Sequence, residues 1–106
     1  MKTSPTQLSL KELRKTCDAV QVVEKWNPHA RIRQDLFGFV DILALQGTET
    51  LAIQSTSWAN VGARAKKIAE SPLVGAVRDA GWRILIHGWR KNKKTNRYEL
   101  KQMDVS

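Results

Sequence analysis

The sequence predicts an α/β or α+β domain: a mixed β-sheet of about five strands flanked by helices, in the order α-β-β-β-α-β-β. Three observations carry that expectation. The runs AVQVVEKW, GFVDILAL, TLAIQST and WRILIHGW have strand length, are rich in β-branched or aromatic residues, and are bounded by Gly, Pro and Asn. Other segments repeat apolar residues at helical spacing instead. Two of the strand-like runs are separated only by QGTE, which suits a hairpin.

In chain order, Leu10, Leu13, Cys17 and Val20 form an apolar helical stripe, and Ser9-Leu-Lys-Glu12 reads as a capping box that opens the helix. Residues 1–8 are then expected to be a flexible N-terminus, and the helix to end near Cys17 to Ala19. The valine-rich segment from Ala19 to Trp26 is the first strand. Asn27-Pro28 breaks it, and His29 to Gln34 is a basic loop or irregular extension. Gly38 to Leu45 and Thr50 to Thr56 are the second and third strands, with Gly47 as the turn residue. From about Trp58 to Glu70, Val61, Ala65 and Ile68 mark one helical face. Ser71-Pro72, a serine N-cap with proline at N1, opens a helix that stops at Gly81; alternatively the two are one helix kinked at Pro72. Trp82 to Trp89 alternates with period two as the fourth strand. Arg90 to Arg97 is a basic turn, and Tyr98 to Met103 a final edge strand.

A chain of 106 residues fits one domain, 1–106, with one hydrophobic core. No apolar run approaches the roughly 18 residues of a membrane span, and MKTSPTQLS lacks the apolar centre of a signal peptide. A cytoplasmic setting without a membrane partner is expected. Cys17, the single cysteine, forms no internal disulfide and reads as a small core residue, and no Cys/His cluster suggests zinc. His29 and His87 lie far apart, which argues against a histidine-based triad. Eighteen Lys and Arg against ten Asp and Glu leave a net charge of +8. Such an excess points to a polyanionic partner, nucleic acid before membrane or acidic protein.

Two core-like strands each carry a polar residue at their centre, Asp41 and Gln54. Burying an unpaired polar group costs roughly 1–3 kcal/mol and an unpaired charge more, so partners or a ligand must satisfy them. Strand alternation places Asp41 with Phe39 and Leu43, and Gln54 with Ala52 and Thr56. Paired as neighbours, the strands bring Asp41, Gln54 and Thr56 to one end of one face, where Glu24 can join them. Each residue also has a plain structural reading. Asp41 can pair with Arg31 or Arg33, Gln54 can bridge backbone groups, and Thr56 is ordinary in a strand. Glu24 can face outward to a lysine, Asp35 can form a turn, and His87 can be a hydrogen-bonded core histidine. Two polar groups in adjacent core strands ask for a joint explanation.

In this pattern the chain resembles the PD-(D/E)XK nuclease superfamily, in particular its Holliday-junction-resolvase and VRR-NUC branches. There a strand bearing a buried Asp is followed by a tight turn and an apolar strand bearing an acid-x-lysine motif. The likeness runs from about Leu8 to Trp89, and it implies a restriction-endonuclease-like core. The sequence departs from the pattern in three places: Val40 stands where the family has proline, Gln54 where it has the acid, and Thr56 where it has the lysine. The family's carboxylates hold Mg²⁺ (or Mn²⁺), so the resemblance implies metal ligands at Asp41, Gln54 and Glu24 or Asp35. A glutamine oxygen can still ligate a hard cation. It also implies that the missing cation comes from the following helix, from Lys67 or Arg64, which lie three apart on one face.

The activity implied is phosphodiester hydrolysis in branched or structured DNA by a homodimer, in the cytoplasm of a bacterium or encoded by a phage. The alternatives are a catalytically inactive DNA-binding pseudo-nuclease and a basic RNA-binding protein. Candidate DNA-binding residues are Arg31 and Arg33 in HARIR, Arg64 and Lys66 on the helix, and Arg90, Lys91, Lys93 and Lys94 in RKNKKTNR. The last segment also reads as a solvated hairpin tip. Of Trp26, Trp58, Trp82 and Trp89, most are assigned to the core, with Trp58 at a loop–helix junction where it can stack on an unpaired base.

Overall fold

The computed structural model describes residues 4–106. Helix α1 (Pro5–Leu13) opens earlier than the capping-box reading placed it. Ser4 is the N-cap and accepts a hydrogen bond from the Gln7 amide, and Pro5 follows, where a missing N–H costs nothing. Ser4-Pro5 thus outcompetes Ser9 as a start signal. Ser9 lies fully buried inside the helix, and Glu12 pairs on the surface with Lys15 at 3.1 Å. Pro5 to Leu8 therefore belong to the helix; the rest of the expected flexible N-terminus, residues 1–3, lies outside the described residues.

The expected first strand is divided. β1 (Ala19–Val22) pairs antiparallel with β4 (Ile42–Gln46). The last backbone bond of that seam runs from the Val23 N–H to the Asp41 carbonyl, 2.9 Å. Before Asp41 the segment that faces β1 turns away through Phe37 and Gly38, at φ 57° and 84°, so Glu24 onward has no neighbour in the main sheet. β2 (Lys25–Asn27) instead pairs with β3 (Ile32–Gln34) in a separate two-stranded ribbon. The Asn27 side chain accepts from the His29 and Ala30 amides and closes the ribbon's turn. The basic loop expected over His29 to Gln34 thus ends as a strand.

The main sheet has five strands in the order β1-β4-β5-β6-β7, with β5 (Glu49–Ser57), β6 (Arg83–Lys91) and β7 (Tyr98–Asp104). β5 and β6 are parallel, and the other neighbours are antiparallel. The β4–β5 hairpin turns at Gly47, whose φ of 59° is free of Cβ strain only in glycine. The parallel pair requires a crossover, supplied by a 3-10 turn (Trp58–Asn60), α2 (Val61–Ala69) and α3 (Val74–Asp79). These are two helices, not one kinked helix. Ser71 accepts from the Leu73 amide between them, and the chain leaves α3 through Gly81 at φ 80°.

The sheet is covered on both faces. Leu10 and Leu13 of α1 pack with Ile42, Ala44, Leu51, Ile53 and Leu85, with Cys17 and Val20 at the edge. The helix ends at Leu13, short of the expected Cys17 to Ala19, so Val20 joins this core from β1 and not from a helical stripe. On the other face Val61, Ile68, Val74 and Val77 meet Phe39, Val40, Ala52, Ile84 and Ile86. Each fully buried aliphatic side chain here contributes about 1.5–3 kcal/mol. Gly88 lets the crossover settle on β6, because a Cβ there would collide with Val61 Cγ2 and lie 3.1 Å from Trp58 Cα. No helix among the described residues is long and apolar enough to cross a membrane.

Candidate metal centre

Asp41 stands immediately before β4, and its backbone is held on both sides. Its N–H donates to Ile53 O and its carbonyl accepts from Val23 N, each at 2.9 Å. The register Ile42↔Ile53 sets Asp41 across from Gln54 on the sheet face that α2 covers. Its Oδ2 accepts from Gln54 Nε2 at 3.1 Å and from the Ser55 amide at 2.9 Å. The residue is only 4% exposed. Burial, a hydrogen bond with Asp35 and the charges of Asp35 and Glu24 push its pKa from 3.8 to about 7, against the opposing pull of the Ser55 N–H.

The two further carboxylates come from the root of the ribbon. Glu24 directly precedes β2 and Asp35 directly follows β3, so pairing these strands brings the two acids together. One carboxylate oxygen each from Glu24, Asp35 and Asp41 lies within 4.8 Å of the others. The alternatives left open by sequence, Glu24 or Asp35, thus both join Asp41.

Two cations answer three acids. Arg33 Nη1 lies 2.8 Å from Glu24 Oε1, so this arginine pairs with Glu24 and not with Asp41. Lys67 Nζ, from the last turn of α2, lies 3.6 Å from Asp35 Oδ2. Arg64 sits one turn earlier and is half-buried, while Lys66 is exposed. One negative charge of the triad is left over, and a proton held by Asp41 or a bound cation would balance it.

Gln54 is 2% exposed, and with Nε2 given to Asp41 its Oε1 is buried without a hydrogen-bond partner. An orphaned buried acceptor at an acidic cluster is the kind of group a hard cation satisfies. Carboxylate and amide oxygens suit Mg²⁺ or Mn²⁺, and zinc would ask for thiolate or imidazole. Thr56 is buried on the same face, two residues further along β5.

On the opposite face lies a polar network that sequence reasoning missed. Ser9 Oγ accepts from Trp89 Nε1 at 2.8 Å and meets His87 Nδ1 at 3.0 Å and Ser55 Oγ at 2.9 Å. Its one sequence signal is a serine four residues before Leu13, on the apolar side of α1. Burial holds the His87 imidazole below its ordinary pKa, against the pull of Gln102 and Glu12. His87 is hydrogen-bonded in the core, as its structural reading held.

The basic hairpin lies at the same end of the sheet as Asp41. β5 and β6 run parallel, and their last residues lead to Trp58 and to Arg90 and Lys91. Arg90 lies 3.8 Å over the Trp58 ring and donates from Nε to Glu99 at 2.8 Å. Lys101 reaches the same ring at 5.6 Å. Trp58 is therefore engaged by the chain's own cations. Lys93 and Lys94 are exposed in a turn that Asn92 closes by accepting from the Lys94 amide. Arg31 and Arg33 project from the ribbon, Arg31 at φ 54°. Trp26, expected in the core with most of the tryptophans, is 59% exposed there, because β2 left the sheet. Comparison of the chain with protein-family models, with curated proteins and with solved structures gives no match.

Proposed function

We propose that this protein is a metal-dependent endonuclease-like domain that hydrolyses phosphodiesters in branched or structured DNA. The observation that carries the reading is the convergence of Glu24, Asp35 and Asp41 within 4.8 Å, with Lys67 3.6 Å from Asp35. The strand order, its single parallel pair and the place of Asp41 opposite Gln54 accord with the restriction-endonuclease-like core that the resemblance implies. The net charge of +8 supports a polyanionic substrate.

Asp41, Glu24, Asp35 and Gln54 Oε1 are the ligand set for Mg²⁺ or Mn²⁺. The ion, when bound, supplies an activated water and neutralises charge on the scissile phosphate. Asp41 must give up its proton to serve. Lys67 offers the positive charge that Thr56 cannot, and faces the phosphate from the α2 side. Arg31, Arg33, Arg64, Lys66, Arg90, Lys91, Lys93 and Lys94 hold the backbone on either side of the cut. A junction with two symmetric cuts calls for a homodimer with a two-fold axis.

The test is cleavage of a labelled four-way junction and of plain duplex, with Mg²⁺, with Mn²⁺ and with EDTA, beside Asp41→Ala. Metal-dependent cuts that vanish in the variant support the reading. Gln54 and Thr56, standing in the acid and lysine positions, favour one second reading, a DNA-binding pseudo-nuclease. Binding without any cut, with affinity kept or improved in Asp41→Ala, would establish it.

A further inference from the structure

We infer that Trp26 stacks on an unpaired nucleobase beside the phosphodiester held at the acidic cluster, so that the DNA recognised carries a gap, flap or fork at the point of contact. The inference rests on the metal-centre reading for where the DNA backbone lies.

Among the described residues Trp26 is the most exposed of the large apolar side chains, at 59%, on a ribbon of three residue pairs. Arg33 is its partner across the ribbon, so ring and guanidinium share one face. Arg31, exposed, stands just before β3 on the same ribbon, while Lys25 lies on the ribbon's other face. An aromatic ring among cations fits a ligand with a flat π-face and a phosphate chain, which is an unpaired nucleotide. In a duplex each base face is already covered by its neighbour, and an apolar protein surface would offer no charge to the exposed Arg31 or to Arg33, which Glu24 holds at 2.8 Å. Trp58 is the weaker platform, its ring already under Arg90 at 3.8 Å.

Position adds to chemistry. Trp26 stands two residues from Glu24, at most about 7 Å along the chain. That span covers about two steps of a nucleic-acid strand at roughly 3.4 Å each. Both strands of the ribbon end at acids of the cluster, Glu24 and Asp35, so the cluster fixes the root from which Trp26 projects.

The experiment is fluorescence anisotropy in EDTA at matched salt, with fluorescein-labelled DNA of one sequence as blunt duplex, gapped duplex and single strand. Wild type, Trp26→Ala and Trp26→Phe are compared. The expected result is a loss of about 10- to 100-fold for Trp26→Ala on gapped and single-stranded DNA, little change on blunt duplex, and most of the affinity kept by Trp26→Phe. Because Trp26 is exposed, circular dichroism should show both variants folded. Equal loss on all three DNAs, or no loss, would overturn the inference while leaving metal-dependent cleavage to stand by itself. The expected pattern in a protein that never cuts would keep the stacking role and overturn the nuclease reading. Binding to none of the DNAs would overturn both.

Discussion

Asp41 and Ser9 show how one buried polar atom governs each side of the sheet. The folded pKa of Asp41, about 7, lies above its ordinary 3.8. The folded carboxyl therefore keeps its proton while the unfolded one sheds it, and this group's share of stability, full below about pH 4, drains away as pH rises to about 7. Asp41→Asn mimics the protonated form. It should match wild type at pH 4 and be more stable at pH 8, by an amount of the order of a few kcal/mol at roughly 1.4 kcal/mol per pH unit. Urea denaturation at the two pH values measures this, and added Mg²⁺ should raise the midpoint of wild type alone. On the other face, Ser9→Ala would orphan Trp89 Nε1 and His87 Nδ1 and should cost at least about 1–3 kcal/mol. Asp41 was legible because a charge inside an apolar run demands an explanation. Ser9 was not, because its partners lie far along the chain, and S-L-K-E matches a local capping code that Ser4-Pro5 satisfies better.

At the scale of elements, apolar period and punctuation placed α2, the hairpin and the last two strands, but set α1 several residues too late and opened α3 at Ser71-Pro72, where the structure starts it at Val74. They did not reveal that Ala19 to Trp26 breaks in two, because the break is imposed by the segment before β4 turning away at Phe37-Gly38. That break gives the site its form, since it lifts Glu24 out of the sheet to meet Asp35. α2 completes the site from the opposite side, and Lys67 reaches it only from the last turn of that helix. Lys67→Ala should slow single-turnover cleavage by about 10²-fold, the usual cost of removing one charge-stabilising donor, with DNA affinity changed only a few-fold. The seat of α2 depends in turn on Gly88. Gly88→Ala should lower stability by about 1–3 kcal/mol or more, read from the thermal midpoint, because its Cβ meets Val61 and the backbone of Trp58.

For the whole molecule the net charge of +8 is the quantity read most directly from sequence, and the fold disperses it into the ribbon, α2 and the β6–β7 hairpin. If these engage about five phosphates, log K should fall with log salt at a slope of about −4 to −5. Replacing Lys91, Lys93 and Lys94 together by Ala should bring that slope about 2 to 3 closer to zero, as anisotropy titrations at several salt concentrations would show.

The parallel seam between β5 and β6 also dictates an order of assembly. β4 and β5 can close at once through their local turn, but β6 can dock only after the chain from Trp58 to Trp82 has been threaded across one face. Until then β5, with Leu51, Ala52 and Ile53 in a row, offers a bare edge to any other chain, the kind of surface from which aggregation starts. On a ribosome the sequence before Arg83 emerges first and must wait in that state. The β6–β7 hairpin, one of the three basic segments, is thus also the piece that ends the wait, and a nascent chain cut short of it should be a client for chaperones.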